Sequence, residues 1–457
     1  MAAQKLQGVK GTRDVLPLDT YVKDAEPWVR IGHYQLIEEA AREVFPLYGY
    51  REARTPVLER TALFVRGIGE VTDIVGKEMY TFEDQDGTQV SMRPENTASL
   101  VRAYVQHAVN QTEPDTKWWY CGPMFRRERQ QRGRYRQFTQ IGVEALGSAG
   151  PRVDVEQIEL LHRWLSSPKL AIQFAMHINT LGDAQCRPAY RTGLQTYLRA
   201  HSSELCEECQ RRIETNPIRV LDCKNPGCQA VAANAPQMEA YLCEPCRAHF
   251  NELREGLTRL SVPFVIDPKL VRGLDYYTRT TFEAIATGGL GSAGDGQSPK
   301  DAAPKGGLGA QSTVAGGGRY DGLVRDLGGP DVPGVGFASG VERLALLVAA
   351  AGRERAVRPV VFFATLGPAE EARADVLAQA LRSAGIAAEV SFRRSNPGNQ
   401  LKRADALGAR FALVLGEVEL STGRAKLKEL KTGATHELAL AELAAEVTKL
   451  LAPAEAP

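Results

Sequence analysis

Phe125-Arg126-Arg127-Glu128-Arg129-Gln130-Gln131-Arg132-Gly133-Arg134-Tyr135-Arg136-Gln137-Phe138 holds six arginines within eleven residues, between two β-prone runs. Upstream lies Trp118-Trp119-Tyr120-Cys121, broken by Gly122-Pro123; downstream lies the alternating Phe138-Thr139-Gln140-Ile141-Gly142-Val143-Glu144. Two such runs joined by a polar loop containing glycine predict a hairpin. Guanidinium groups are planar, always charged and bind phosphate or carboxylate through paired N–H donors. Glu128 is the only acid in the loop, so the charge is open to an external polyanion: ATP, a nucleic-acid backbone, or both. The plainer alternative, a solvated and salt-bridged hairpin, is disfavoured by that shortage of internal acids.

The basicity is local. Net charge over the 457 residues is only +1, which argues against a protein that coats DNA through a broad positive field. With 43% hydrophobic and 24% charged residues, the chain has the composition of a soluble globular protein of two or three domains. Residues 1–10 lack the apolar core of a signal peptide, and no run approaches the ~18 apolar residues of a membrane span. A cytoplasmic protein with no membrane partner is the expectation. Six of the eight cysteines fall between 206 and 246; without an export signal, that clustering points to metal or reduced thiols rather than disulfides.

Working outward, residues 27–47 carry helical periodicity ended by Gly49-Tyr50, and Glu52 to Leu58 reads as a strand interrupted by Pro56. A hairpin is expected around Asp84-Gln85-Asp86-Gly87. It leads into Arg93-Pro94-Glu95-Asn96-Thr97 and a helix with Leu100, Val101, Tyr104, Val105 and Ala108 on its apolar face. Pro94 suits a first helical turn, and Glu95 by itself reads as a capping acid near a helix N-terminus. Asp154-Val155-Glu156-Gln157 reads as a capping box. Residues 183–263 form a helical, Cys-bearing unit, and 288–306 a flexible loop rich in Gly, Ser, Ala, Pro and Lys. From 358 onward strands and helices alternate, predicting a small α/β domain with a mostly parallel sheet.

Three more peptides stand out. In Arg272-Gly273-Leu274-Asp275-Tyr276-Tyr277, two adjacent tyrosines on a strand would face opposite ways, one packing and one looking into a site. Gly316-Gly317-Gly318-Arg319-Tyr320-Asp321-Gly322-Leu323 allows close approach of backbone to a ligand, although a bare glycine run is mostly a turn, and the Walker spacing and lysine are missing. Gly334-Val335-Gly336-Phe337-Ala338-Ser339-Gly340-Val341-Glu342-Arg343-Leu344 predicts a buried strand running into a helix.

Together these peptides resemble class II aminoacyl-tRNA synthetases, specifically the histidyl-tRNA synthetases. The arginine hairpin looks like motif 2, the 27–58 segment like motif 1 with its dimer-interface role, and the 334–344 segment like motif 3. Arg272-Gly273-Leu274-Asp275-Tyr276-Tyr277 and Gly317-Gly318-Arg319-Tyr320-Asp321-Gly322-Leu323 are peptides specific to the histidine members. The resemblance covers all but 288–306 and the last few residues. It implies an α+β catalytic domain on a mainly antiparallel sheet over 1–352, interrupted by the 183–263 and 288–306 segments. A C-terminal α/β anticodon-binding domain over 358–457 is implied as well.

By the same resemblance, Glu95, Thr97, Gln140, Glu144, Arg272, Tyr276, Tyr277 and Tyr320 line the histidine site. Arg126, Glu128, Arg134, Phe138 and Arg343 bind ATP, with Arg126 and Arg272 at the reacting phosphate. Arg129, Gln131 and Arg132 at the loop tip are expected to meet the tRNA acceptor stem. The implied activity is ligation of L-histidine to its cognate tRNA by a homodimer, using ATP with Mg²⁺. Two further readings compete: the non-catalytic regulatory subunit of ATP phosphoribosyltransferase, and a synthetase for another amino acid such as proline or threonine. The four arginines at 126, 134, 272 and 343 and the C-terminal domain weigh against the first, and the histidine-specific peptides against the second. For the cysteines, the two C-x-x-C pairs Cys206/Cys209 and Cys243/Cys246 are the expected ligands of one structural Zn²⁺, with Cys223 and Cys228 as alternates. Many relatives lack these cysteines, so the metal does not follow from the resemblance.

Overall fold

Ile141, Val143 and Ala145 alternate along the strand Gln137–Leu146 with Gln140, Gly142 and Glu144, and that alternation sets the two faces of the main sheet. In the computed structural model, residues 6–17, 30–69, 72, 74–128, 132–271, 276–287, 312–355 and 358–451 are described. They divide into two compact units, Met1–Arg355 and Ala356–Pro457.

The first unit is built on an eight-stranded sheet. Its order is Arg51–Glu52, Thr116–Phe125, Gln137–Leu146, Gly334–Gly340, Thr313–Arg319, Thr278–Ala286, Phe174–Thr180, Val265–Ile266. Every internal junction is antiparallel; only the two edge pairs are parallel. The helices Ile31–Val44, Arg152–Leu165 and Val341–Ala350 contribute to the apolar core against one face. There Phe45 packs edge-on to Trp119, Trp164 and Phe337, at 5.7, 5.3 and 6.2 Å between ring centroids. Such edge-to-face contacts add to the area these rings bury.

Several expectations are corrected. The 52–58 run is split by Pro56: Arg51–Glu52 joins the main sheet, while Leu58–Arg60 pairs in a separate three-stranded sheet with the hairpin Tyr80–Glu83 and Gln89–Met92. Pro94 precedes the helix, which starts at Thr97 after the N-cap Asn96. The glycine run is no turn: Thr313–Arg319 is an interior strand. A Cβ at Gly317 would come within 2.2 Å of the Gly336 carbonyl, and one at Gly318 within 2.5 Å of the Thr280 carbonyl, so close strand packing demands both glycines.

Asp154 is no cap either. The helix begins at Arg152 behind the N-cap Pro151, and the Asp154 carboxylate pairs with Arg319 at 2.5 Å, both side chains fully buried. Arg319 also donates to Asp321 and to the carbonyls of Ser148 and Gly150. A buried charge needs such partners, and that demand overrides local capping.

The second unit has a five-stranded sheet, ordered Ala388–Val390, Val361–Thr365, Phe411–Leu415, Arg424–Glu429, Thr435–Ala439. The first three strands are parallel, as expected. The last two form an antiparallel hairpin missing from the sequence reading, so the sheet is mixed. Val361, Phe363, Leu377, Leu381, Phe411 and Leu413 are in its core. Asn396 caps the helix Pro397–Ala406, and buried Gln400 clasps the Thr365 backbone on both sides.

Candidate active site

Opposite the aromatic core, the sheet carries a cavity of about 240 Å³. The described residues expected at the histidine and ATP sites all line it: Glu95, Thr97, Gln140, Glu144, Tyr276, Tyr277 and Tyr320, with Arg126, Glu128, Arg134, Phe138 and Arg343. Arg132 is described but is not part of the lining. Arg272, Arg129 and Gln131 lie outside the described residues.

One end is built of carboxylates and hydroxyls. Thr97 Oγ1 donates to Glu144 Oε1 at 2.6 Å, and the Tyr320 hydroxyl donates to Glu144 Oε2. Gly336 leaves the space for this acid, since a Cβ there would fall 1.8 Å from Glu144 Oε2. Burial pushes the Glu144 carboxyl up to about 8 against the two hydrogen bonds, which pull it down, and the Glu95 charge raises it further. Glu95 accepts from the backbone N–H groups of Thr97 and Ala98, at 2.7 and 3.0 Å. It therefore caps the helix and lines the cavity together, so its two readings do not exclude each other. Burial raises its carboxyl too, opposed by those N–H bonds.

Tyr276 and Tyr277 both line the cavity, with rings 4.6 Å apart and tilted by 46°. The expected division of labour fails because they precede the strand, which starts at Thr278, so strand alternation does not apply. Tyr276 meets Tyr320 edge-on at 5.7 Å. Tyr120 donates to Gln140 Oε1 at 3.2 Å, fixing the amide on the Glu144 side of its strand.

The other end is cationic. Arg126 Nε donates to the Pro94 carbonyl at 2.9 Å, and its guanidinium lies 5.2 Å over the Phe138 ring. Glu128 stands between Arg126 and Arg134, at 3.6 and 3.0 Å. Arg343 donates to the Thr313 carbonyl at 2.6 Å. Burial, helped by the neighbouring Arg134 and Arg126 charges, pushes Arg343 down to about 10 against the pull of Glu128. Cations held so close together favour an anion between them. Buried Arg93 anchors this corner, donating to the carbonyls of Pro123 and Thr55 and to Asn96 Oδ1, each at 3.0 Å.

Two contributors escaped the sequence reading. Glu342 lines the cavity; its Oε1 accepts from the Thr139 N–H at 2.7 Å, and its Oε2 has no hydrogen-bond partner among the described residues. Burial pushes it up to about 7. An acid next to Arg343 in the first helical turn was the available signal. The second is the N-terminal segment: Arg136 N–H donates to the Gly11 carbonyl at 2.8 Å, and Arg13 donates to the Tyr135 hydroxyl at 3.0 Å. Nothing in the composition of residues 6–17 marks them as a brace for the arginine hairpin.

The expected four-cysteine set does not assemble. Cys206 and Cys209 meet Cys223 and Cys228, whereas Cys243 and Cys246 meet Cys186 and Asp183. Each C-x-x-C pair opens its own helix, Glu207–Thr215 and Glu244–Arg259, and each finds its second pair of ligand groups elsewhere in the chain.

The family model described as Histidyl-tRNA synthetase matches residues 22–344, and the one described as Anticodon binding domain matches 360–450. The chain is 49% identical to the histidine–tRNA ligase of Anaeromyxobacter sp. (strain K), over 97% of this chain and all of that one. It is 45% identical to that of Geobacter metallireducens, over 95% and 97% of the two chains. The crystal structure of apo S. aureus histidyl-tRNA synthetase is similar with a TM-score of 0.73 at 33% identity, covering 97% of this chain and 100% of that one. No helix among the described residues is long and apolar enough to cross a membrane. By its two family matches, its full-length similarity to these ligases and its antiparallel catalytic fold, the chain belongs to the histidyl-tRNA synthetase family.

Proposed function

We infer that this chain joins L-histidine to its cognate tRNA through a histidyl-adenylate. The observation that carries the reading is one cavity with a hydrogen-bonded Glu144–Thr97–Tyr320 end and an Arg126–Arg134–Arg343 end. The first suits an imidazole-bearing amino acid, whose N–H groups need acceptors; the second suits a triphosphate. The histidine carboxylate attacks the α-phosphorus of ATP, and pyrophosphate leaves. A 2′ or 3′ hydroxyl of the terminal adenosine of tRNA then attacks the acyl carbon, and AMP leaves. Both steps need positioning and charge neutralisation rather than a nucleophilic side chain.

In this reading Arg126 and Arg272 act at the α-phosphate, Arg134 and Arg343 at the outer phosphates, and Phe138 stacks on adenine. Glu95, Gln140, Tyr276 and Tyr277 complete the amino-acid pocket with the Glu144 cluster. Arg129, Gln131 and Arg132 approach the acceptor stem. Mg²⁺ would neutralise the pyrophosphate oxygens. The catalytic domain spans 1–352 around the 183–263 insertion and 288–306, and 358–457 binds the anticodon. The enzyme is a cytoplasmic homodimer with the Ile31–Val44 helix at its interface, and its insertion holds structural Zn²⁺.

The regulatory-subunit alternative is disfavoured by the relatives at 49% and 45% identity, both of them ligases matched at nearly full length. Charging of total tRNA with labelled histidine tests the reading. Incorporation that depends on ATP and histidine supports it; a chain that forms no histidyl-tRNA refutes it.

A further inference from the structure

We propose that the helical insertion binds two separate divalent ions of the zinc type, one on Cys206, Cys209, Cys223 and Cys228, the other on Asp183, Cys186, Cys243 and Cys246. Within each set the ligand atoms lie within 4.8 Å of one another. A tetrahedral ion with Zn–S bonds of about 2.3 Å sets its sulfurs roughly 3.8 Å apart. Cys206 and Cys223 stand at 3.9 Å; Cys186 and Cys243, at 3.2 Å, need only open slightly. Both separations far exceed a disulfide bond of about 2.05 Å.

The two sites share one local design. Cys206 and Cys243 each N-cap a helix in extended conformation, at φ −66°, ψ 156° and φ −66°, ψ 160°. Each leads a Cys-Glu-x-Cys peptide whose second cysteine is buried in the first turn. In both, the capping cysteine's N–H donates to a sulfur of the opposite pair, Cys206 to Cys228 at 3.2 Å and Cys243 to Cys186 at 3.1 Å. Backbone N–H donors of this kind hold a ligating sulfur in place. Sulfur-rich, tetrahedral donor sets select zinc among the common divalent ions. Short helices around a small apolar core are the setting in which a metal staple stabilises most.

The second site is also joined to the amino-acid pocket. Arg279 Nη2 lies 3.5 Å from Asp183 Oδ2, and the Arg279 backbone bonds Gly182 and Leu181 at 2.8 and 2.7 Å. Arg279 holds φ +48°, a conformation a non-glycine residue keeps only when its surroundings enforce it. Arg187, one residue after Cys186, donates to the Tyr277 carbonyl. Loss of the ion at Asp183 therefore reaches Tyr276 and Tyr277, whereas the all-cysteine site borders the cationic end instead, with Cys223 lining a second cavity beside Arg134 and Arg343.

The two-ion assignment rests on a zinc-bearing insertion and not on the ligase chemistry, because metal is counted without turnover; the coupling to the pocket rests on the function proposed above. The full chain is purified in reducing buffer without chelator, and its Zn²⁺ content is measured. Two equivalents per chain are expected, falling by one in Cys209→Ser and by one in Cys246→Ser, and unchanged in Cys121→Ser, whose cysteine belongs to neither cluster. Co²⁺ loaded into the wild-type chain should show thiolate charge-transfer and tetrahedral d–d bands for two sites, a readout that stands even if a variant fails to fold. Cys246→Ser should raise the histidine KM roughly tenfold with the ATP KM unchanged, and Cys209→Ser should leave the histidine KM alone. A single equivalent overturns the two-site assignment. None, with free reaction of all the cluster thiols, overturns metal binding altogether while leaving the ligase reading intact. Equal histidine-KM shifts in the two variants overturn the coupling.

Discussion

Thr97 Oγ1 stands 2.6 Å from Glu144 Oε1, so the helix that follows Arg93-Pro94-Glu95 is tied directly to the strand that follows the arginine hairpin. Tyr320 closes the same carboxylate from a third element. One buried acid thus orients three segments far apart in sequence.

That acid makes stability depend on pH. Its carboxyl is pushed from 4.5 up to about 8, mainly by burial. Between those values the native chain holds a proton that the unfolded chain has lost, so stability falls as pH rises through the window and levels off above it. Glu342, pushed up to about 7, contributes with the same sign. Glu144→Gln should flatten the decline measured by urea unfolding from pH 5 to 9. A wild-type-like slope would contradict the burial argument.

Tyr320→Phe deletes one donor to Glu144 while keeping the ring against Tyr276. A hydrogen bond to a neutral carboxyl, as Glu144 is below about pH 8, is worth about 0.5–1.5 kcal/mol. The histidine KM should therefore rise about two- to tenfold, with the ATP KM unchanged. A rise confined to ATP would place the hydroxyl at the wrong end of the cavity.

Arg343→Lys keeps the charge but loses the planar fork that holds the Thr313 carbonyl and faces the Arg126–Arg134 pair. Pyrophosphate exchange should fall about a hundredfold, while equilibrium histidine binding without ATP stays within a factor of about two. Loss of histidine binding would argue for a structural role.

Arg319→Leu strands a buried Asp154. Removing one partner of such a pair costs about 3–5 kcal/mol, readable as a lower urea midpoint. Arg319→Leu with Asp154→Leu should recover most of it. If the double variant is no more stable than the single one, the ion pair is not what Arg319 supplies.

The hairpin of arginines, the alternating Gln140 and Glu144, and the parallel part of the second sheet were legible because period-two alternation and turn residues are local signals. What escaped was set by distant partners. Asp154 looked like a cap until Arg319 claimed it, and the glycines at 317 and 318 looked like a turn until strand packing required them. The cysteines could be counted from the sequence, but which pair meets which depends on the path of the helices between them. The missed hairpin Arg424–Glu429 with Thr435–Ala439 was readable in principle: Ala425 and Leu427 alternate with charged residues and are buried, while Lys426 and Lys428 are exposed.

On the proposed function, this cavity activates histidine and no other amino acid. ATP–pyrophosphate exchange, run with each of the standard amino acids in turn, tests it most directly. Histidine alone should support exchange, and Arg272→Ala should reduce it by several orders of magnitude. Exchange driven by another amino acid, or none with histidine, would rule out a histidine-activating cavity.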